Sequence, residues 1–100
     1  MEYSEKKTAI EDRLLIRKSY PKAIQSKLQN LVNDILLNPR KKDTIGNPEE
    51  LKYKEKEMWS RELTKKDRIV YGIEPGIEYD MPKEDAIIVF YQYLGHYNDK

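Results

Sequence analysis

Six side chains in this sequence have the types that chemistry needs: Glu49, Lys52, Arg61, Arg68, His96 and Tyr97. They are a carboxylate, an ammonium, two guanidinium groups, an imidazole and a phenol. Carboxylates and imidazoles serve proton transfer, and the imidazole is the one side chain whose ordinary pKa lies near neutrality. Guanidinium forks suit phosphate oxygens. Taken singly, each residue also has an ordinary structural reading. Glu49 follows Pro48 and would solvate a loop. Arg68 would be a charge that protects a sheet edge, and His96 a surface histidine. Other chemistries are excluded by composition. The chain has no cysteine and a single histidine, so thiol catalysis, Cys-based zinc and multi-histidine metal sites are out. It has no G-x-S-x-G elbow, phosphate loop or G-x-G-x-x-G. Gly72-Ile73-Glu74-Pro75-Gly76 has small residues at its ends, but Glu74 and Pro75 make it a turn.

The elements that must position these groups follow from periodicity. Ser19-Tyr20-Pro21 is a helix start signal. Ile24, Leu28, Leu31 and Ile35 then recur at helical steps, and Asn38-Pro39 ends the run. A shorter helix is expected over 7–18, with Ala9, Ile10, Leu14 and Leu15 facing inward; the two make a helical hairpin. The second half reads as strands. Over 58–64, Trp59, Arg61 and Leu63 share one face, with Ser60 and Glu62 on the other. Trp59 reads as core rather than as a stacking platform, given its apolar partners. Over 68–73, Ile69, Tyr71 and Ile73 oppose Arg68, Val70 and Gly72. Residues 86–93 are apolar on both faces, as in a central strand. Residues 74–85 read as a long surface connection, and 40–58 as the least regular stretch. The expectation is one domain over residues 1–100, of class α+β, with an N-terminal helical hairpin packed on one face of a small antiparallel sheet.

Apolar residues make up 38% of the chain and charged ones 37%, enough for one modest core. Nineteen basic against eighteen acidic residues give a net charge of +1, so contact with nucleic acid needs a local patch rather than a global field. No apolar run approaches the roughly 20 residues of a membrane helix. The first seven residues lack the apolar stretch of a signal peptide. A cytoplasmic location is expected.

Gly46-Asn47-Pro48-Glu49-Glu50-Leu51-Lys52, then Trp59-Ser60-Arg61, then Asp67-Arg68-Ile69-Val70-Tyr71, then His96-Tyr97, together resemble the YoeB/Txe branch of the RelE-like toxins of bacterial type II toxin–antitoxin modules. The likeness covers about residues 46–97, and the preceding helical hairpin agrees in order and length. It implies the RelE-like fold, with a first strand near residues 2–5, and an endoribonuclease that cuts mRNA in the ribosomal A site. By motif, Glu49 would be the base, His96 the acid and Arg68 the cation that stabilises the phosphorane. Tyr97 would orient the phosphate or stack on a base, and Lys52 and Arg61 would add RNA contacts. The nucleophile is the RNA's own 2′-hydroxyl, so no metal or cofactor is implied. The implied partners are a cognate antitoxin (YefM/Phd-like or similar), the ribosome with its mRNA, and a second copy in a homodimer; no membrane is involved. Two positions depart from the family pattern: Glu62 stands where a second arginine is usual, and Asp67 where histidine is usual. Both remove positive charge. They motivate an alternative, an antitoxin-binding module without effective catalysis that acts in operon autoregulation.

Overall fold

In the computed structural model, the described residues are 3–52, 56–74 and 87–95. Their order is β1 (Tyr3–Glu5), α1 (Lys7–Ser19), α2 (Lys22–Leu37), β2 (Glu49–Leu51), β3 (Glu57–Glu62), β4 (Arg68–Glu74) and β5 (Ile87–Gln92). The five strands form one sheet in the order β1-β5-β4-β3-β2. The antiparallel sheet expected from the sequence is in fact mixed, because β1 runs parallel to β5, with Tyr3 opposite Ile88. The other three pairings are antiparallel.

Local chemistry explains the helical hairpin. Pro21 precedes α2, and its carbonyl accepts the amides of Ile24 and Gln25, while the Gln25 side chain donates to Tyr20 O at 2.9 Å. Leu28, Leu31 and Ile35 line the buried stripe of α2. The helix stops at Asn38, before Pro39, as the proline dictates. In α1 the inward face differs from the sequence reading. Ala9 and Ile16 are buried, whereas Ile10, Leu14 and Leu15 are 38%, 52% and 48% exposed. One narrow stripe, with alanine at its centre, seats this helix on the sheet, and Asp12 and Arg13 work at its margin in polar contacts.

Strand alternation splits the sheet into two environments. Trp59, Leu63, Ile69, Tyr71, Ile73, Ile88, Phe90 and Tyr93 join α1 and α2 in the main core. On the other face, Leu51, Met58 and Val70 form a smaller cluster with Tyr91. Residues 75–86 fall outside the described residues, and with them nearly all of the connection expected over 74–85.

Candidate active site

The start of β2 carries the first candidate. The stretch that reads as irregular over 40–58 contains this short strand because Gly46 and Asn47 turn the chain into it, both at positive φ (83° and 50°). Glycine is required at 46: a Cβ there would lie 2.5 Å from Leu31 Cδ2 and 3.1 Å from Arg61 Cβ. The Gly46 carbonyl then accepts the Glu62 amide at 2.6 Å, which fixes the turn against the end of β3.

The register sets Glu49 opposite Ser60, and Ser60 opposite Val70. Glu49, Ser60 and Val70 therefore share the face away from the helices, and Arg68, two residues before Val70, shares it too. The contacts agree with the register. Arg68 Nε donates to Ser60 Oγ at 3.0 Å, and its Nη2 donates to the Asn47 carbonyl at 3.4 Å. The same Nη2 lies 3.7 Å from Glu49 Oε1, with side-chain exposures of 22% for Arg68 and 67% for Glu49. An ion pair so open adds little to stability. What the arrangement offers is a guanidinium held by a buried hydroxyl and a backbone carbonyl, beside a carboxylate left accessible. That is a base next to an anion-stabilising fork. Ser60, fully buried, is the residue the sequence reading missed. Its signal was present in the alternation that sets it on the face opposite Trp59 and Arg61.

Arg61 must be corrected. It was expected to contact RNA, but its side chain is fully buried under the helices. It pairs with Asp34 of α2 and donates to the carbonyls of Asn38 and Ile45, the former at 2.8 Å and the latter at 3.3 Å. Asp34 also accepts from Thr44 at 2.9 Å. Burial works against the Asp34 charge, but hydrogen bonds from Arg61, Thr44 and Asn38 outweigh it and hold the carboxyl below its ordinary range. From this place Arg61 cannot touch a phosphate on the open face. Instead it clamps α2 and the 38–46 segment to the sheet. Strand parity explains the misreading, since Arg61 and Trp59 share a face and Arg68 lies on the other.

Lys52 is exposed, one residue beyond β2. His96 and Tyr97 lie outside the described residues. The chain is described up to Gly95, whose carbonyl accepts the Arg68 amide at 2.9 Å and whose amide donates to Asp67 Oδ1 at 2.8 Å. The residue just before His96 is thus hydrogen-bonded to the residue that supplies the guanidinium.

Among solved structures, the chain is similar to a YoeB/ParE toxin from Agrobacterium tumefaciens, at 20% identity and a TM-score of 0.76 over 97% of this chain and 100% of that one. It is similar to YoeB from Staphylococcus aureus, solved as a dimer, at 23% identity and a TM-score of 0.73 over 97% and 98%. It is also similar to a chain of the archaeal RelE–RelB complex from Pyrococcus horikoshii OT3, at 13% identity and a TM-score of 0.67 over 94% and 92%. At these identities the likeness establishes the RelE-like fold. No curated protein matches the sequence. The family model for the YoeB-like toxin of the bacterial type II toxin–antitoxin system matches residues 6–97, so the chain belongs to that toxin family.

Proposed function

We propose that this toxin is a ribosome-dependent endoribonuclease that cuts mRNA in the A site. The observation that carries the reading is the accessible Glu49 carboxylate beside the Arg68 guanidinium on the helix-free face, with Gly95 joined to Arg68 through the backbone. Glu49 takes the proton from a ribose 2′-hydroxyl. The freed oxygen attacks the adjacent phosphorus, and the bond to the 5′-oxygen breaks. His96 gives its proton to that leaving oxygen. The products are a 2′,3′-cyclic phosphate and a free 5′-hydroxyl. Arg68 stabilises the charge that builds on the phosphorane oxygens. Tyr97 orients the phosphate or stacks on a base, and Lys52 adds an RNA contact. The nucleophile belongs to the RNA, so the reaction requires no covalent enzyme group and no metal or other cofactor. Each acid–base role is worth about 10²- to 10⁴-fold in rate.

The protein acts in the cytoplasm, where ribosomes are. Two of the structures with this fold are YoeB–YefM complexes from Staphylococcus aureus, one described as heterotetrameric. A YefM-like antitoxin is the corresponding partner here, and a homodimer the corresponding self-association.

Programmed ribosomes assayed beside naked RNA test the reading. Cuts in the A site that vanish with a 2′-deoxy substitution at the scissile nucleotide are expected, as is rescue of growth by Glu49→Ala or His96→Ala in proteins that still fold. Undiminished toxicity in both variants would refute the assigned roles. Wild-type protein that makes no cut would leave the alternative that Glu62 and Asp67 suggest, an antitoxin-binding module acting in operon repression.

A further inference from the structure

The turn after β5 is held in an unusual way. Three successive backbone amides leave the sheet there, and two carboxylates from distant parts of the chain take all three. Asp12 Oδ2, from α1, accepts the amides of Tyr93 at 3.0 Å and Leu94 at 3.1 Å. Asp67 Oδ1 accepts the Gly95 amide at 2.8 Å. A surface turn can leave such donors to water. Here they are fastened by charge-assisted bonds, roughly twice as strong as neutral ones.

Asp67 is itself held. Its Oδ2 accepts from Thr64 Oγ1 at 2.7 Å, and Thr64 Oγ1 accepts the Asp67 amide at 3.0 Å. The next residue closes the ring: the Arg68 amide donates to the Gly95 carbonyl at 2.9 Å. Residue 95 is therefore gripped at both its N–H and its C=O by residues 67 and 68. The side chain of Gln92 donates to the Leu94 carbonyl at 2.9 Å and braces the turn from inside. Gly95 has φ 92°, and a Cβ on it would meet only Gln92 Nε2, at 3.7 Å. Conformation, not space, requires glycine there.

We propose that Asp67, seconded by Asp12, is a positioning residue that fixes where the chain departs for His96 and Tyr97 relative to the Arg68 guanidinium. This rests on the endonuclease reading above and adds a role that the residue's charge alone would not suggest. Viewed as charge, Asp67 is a lost cation near RNA. Viewed as geometry, it helps tie the residue before the general acid to the carrier of the phosphate-stabilising cation, through the two peptide groups that flank Gly95.

The test compares single-turnover cleavage on programmed ribosomes for wild type, Asp67→Ala, Asp67→Asn and Gly95→Ala, with Gly95 amide exchange followed by NMR where that residue's backbone is intact. In Asp67→Ala the saturating rate is expected to fall about a hundredfold, the scale of a 1 Å misplacement. Half-saturation should stay unchanged, and Gly95 should exchange faster while Tyr71 keeps its protection. Asp67→Asn should restore most of the rate, because Oδ1 still accepts the Gly95 amide. Gly95→Ala leaves both carboxylates in place, disfavours the backbone conformation, and should reproduce the loss. It keeps the proposal testable if Asp67→Ala fails to fold. Rates like wild type in Gly95→Ala and in Asp67→Ala, or equal gains in ribosome affinity in both Asp67 variants with no change in rate, would overturn it. Wild-type protein that cuts nothing would overturn the endonuclease reading and this inference with it. A wild type that cuts alongside unaffected variants would overturn this inference alone.

Discussion

Removing the carboxylate from Asp34 separates the two readings of Arg61. Arg61 is fully buried, and its one carboxylate partner among the described residues is Asp34, itself 20% exposed. Taking one partner from a buried pair costs about 3–5 kcal/mol, because a charge is left without compensation. The partial exposure of Asp34 admits water and puts Asp34→Ala near the lower figure. For a domain of this length, about 3 kcal/mol lowers Tm by roughly 12–24 °C. It moves the urea midpoint down by about 1–3 M. Arg61→Ala should cost at least as much, since the carbonyls of Asn38 and Ile45 lose their donor as well. In the double variant Asp34→Leu with Arg61→Met the two losses should be clearly less than additive, as no charge remains stranded. The sign with pH follows from the lowered Asp34 carboxyl. A depressed folded-state pKa gives stability that is present above the ordinary value and lost as pH falls through the folded one. Wild type should therefore weaken below about pH 4, and Asp34→Ala should show a shallower acid limb. The reasoning is refuted if Arg61→Ala melts like wild type but binds RNA with reduced affinity and a reduced salt slope.

Three further outcomes can be checked by the same melts. Tyr71→Phe removes the bond from the buried hydroxyl to Pro39 O (2.8 Å) and should cost about 1–2 kcal/mol, with the Pro39 carbonyl left unpaired. Gly46→Ala meets both positive φ and a 2.5 Å approach to Leu31, so a loss of about 2–4 kcal/mol is expected by urea denaturation. Its size should greatly exceed that of Gly95→Ala, where a Cβ makes only an ordinary 3.7 Å contact with Gln92 Nε2. Glu5 is desolvated, yet bonds from Arg13 (2.9 Å) and Tyr93 (2.6 Å) hold its carboxyl low, so Glu5→Gln should also flatten the acid limb of stability below about pH 4.

The helical hairpin was legible because its signals are local: a proline on either side of α2 and an apolar stripe at helical steps along it. Two strands showed through alternation, and their parity correctly put Trp59 with Leu63 and Tyr71 with Ile69. What could not be read depends on distant partners. Tyr3–Glu5 is polar, so its residues alone do not announce a strand; the family likeness placed one near residues 2–5, and it forms because β5 offers a parallel edge. Glu49–Leu51 is too short to announce itself and exists because Gly46 and Asn47 aim it at β3. Ile10, Leu14 and Leu15 look like an inward face, but the sheet takes the Ala9–Ile16 side. Of the candidate site, the likeness to a family supplied Glu49 and Arg68, and register brings the two together. The same likeness misplaced Arg61, because a motif records spacing and not which way a side chain faces.

The contrast between Arg61 and Arg68 has a wider consequence. Both are guanidiniums on adjacent strands, seven residues apart in sequence, and both have a carboxylate neighbour. Their fates differ through parity alone. On the helix-covered face a guanidinium must be compensated, and Arg61 gathers a carboxylate and two carbonyls on its two terminal nitrogens, while its buried Nε has no partner among the described residues. On the open face an arginine bonded to only one hydroxyl and one carbonyl keeps donor capacity for a ligand, as Arg68 does. Substitutions of charged residues in this sheet should therefore sort by face rather than by residue type. Those under the helices should lower melting temperature at any RNA concentration, and those on the open face should change turnover in a protein that melts normally. Ser60 belongs to the open face by register and yet is shielded from solvent. Its hydroxyl holds Arg68. Ser60→Ala should therefore lower the cleavage rate with little loss of stability, and a variant with unaltered turnover would break the link between the strand register and the chemistry.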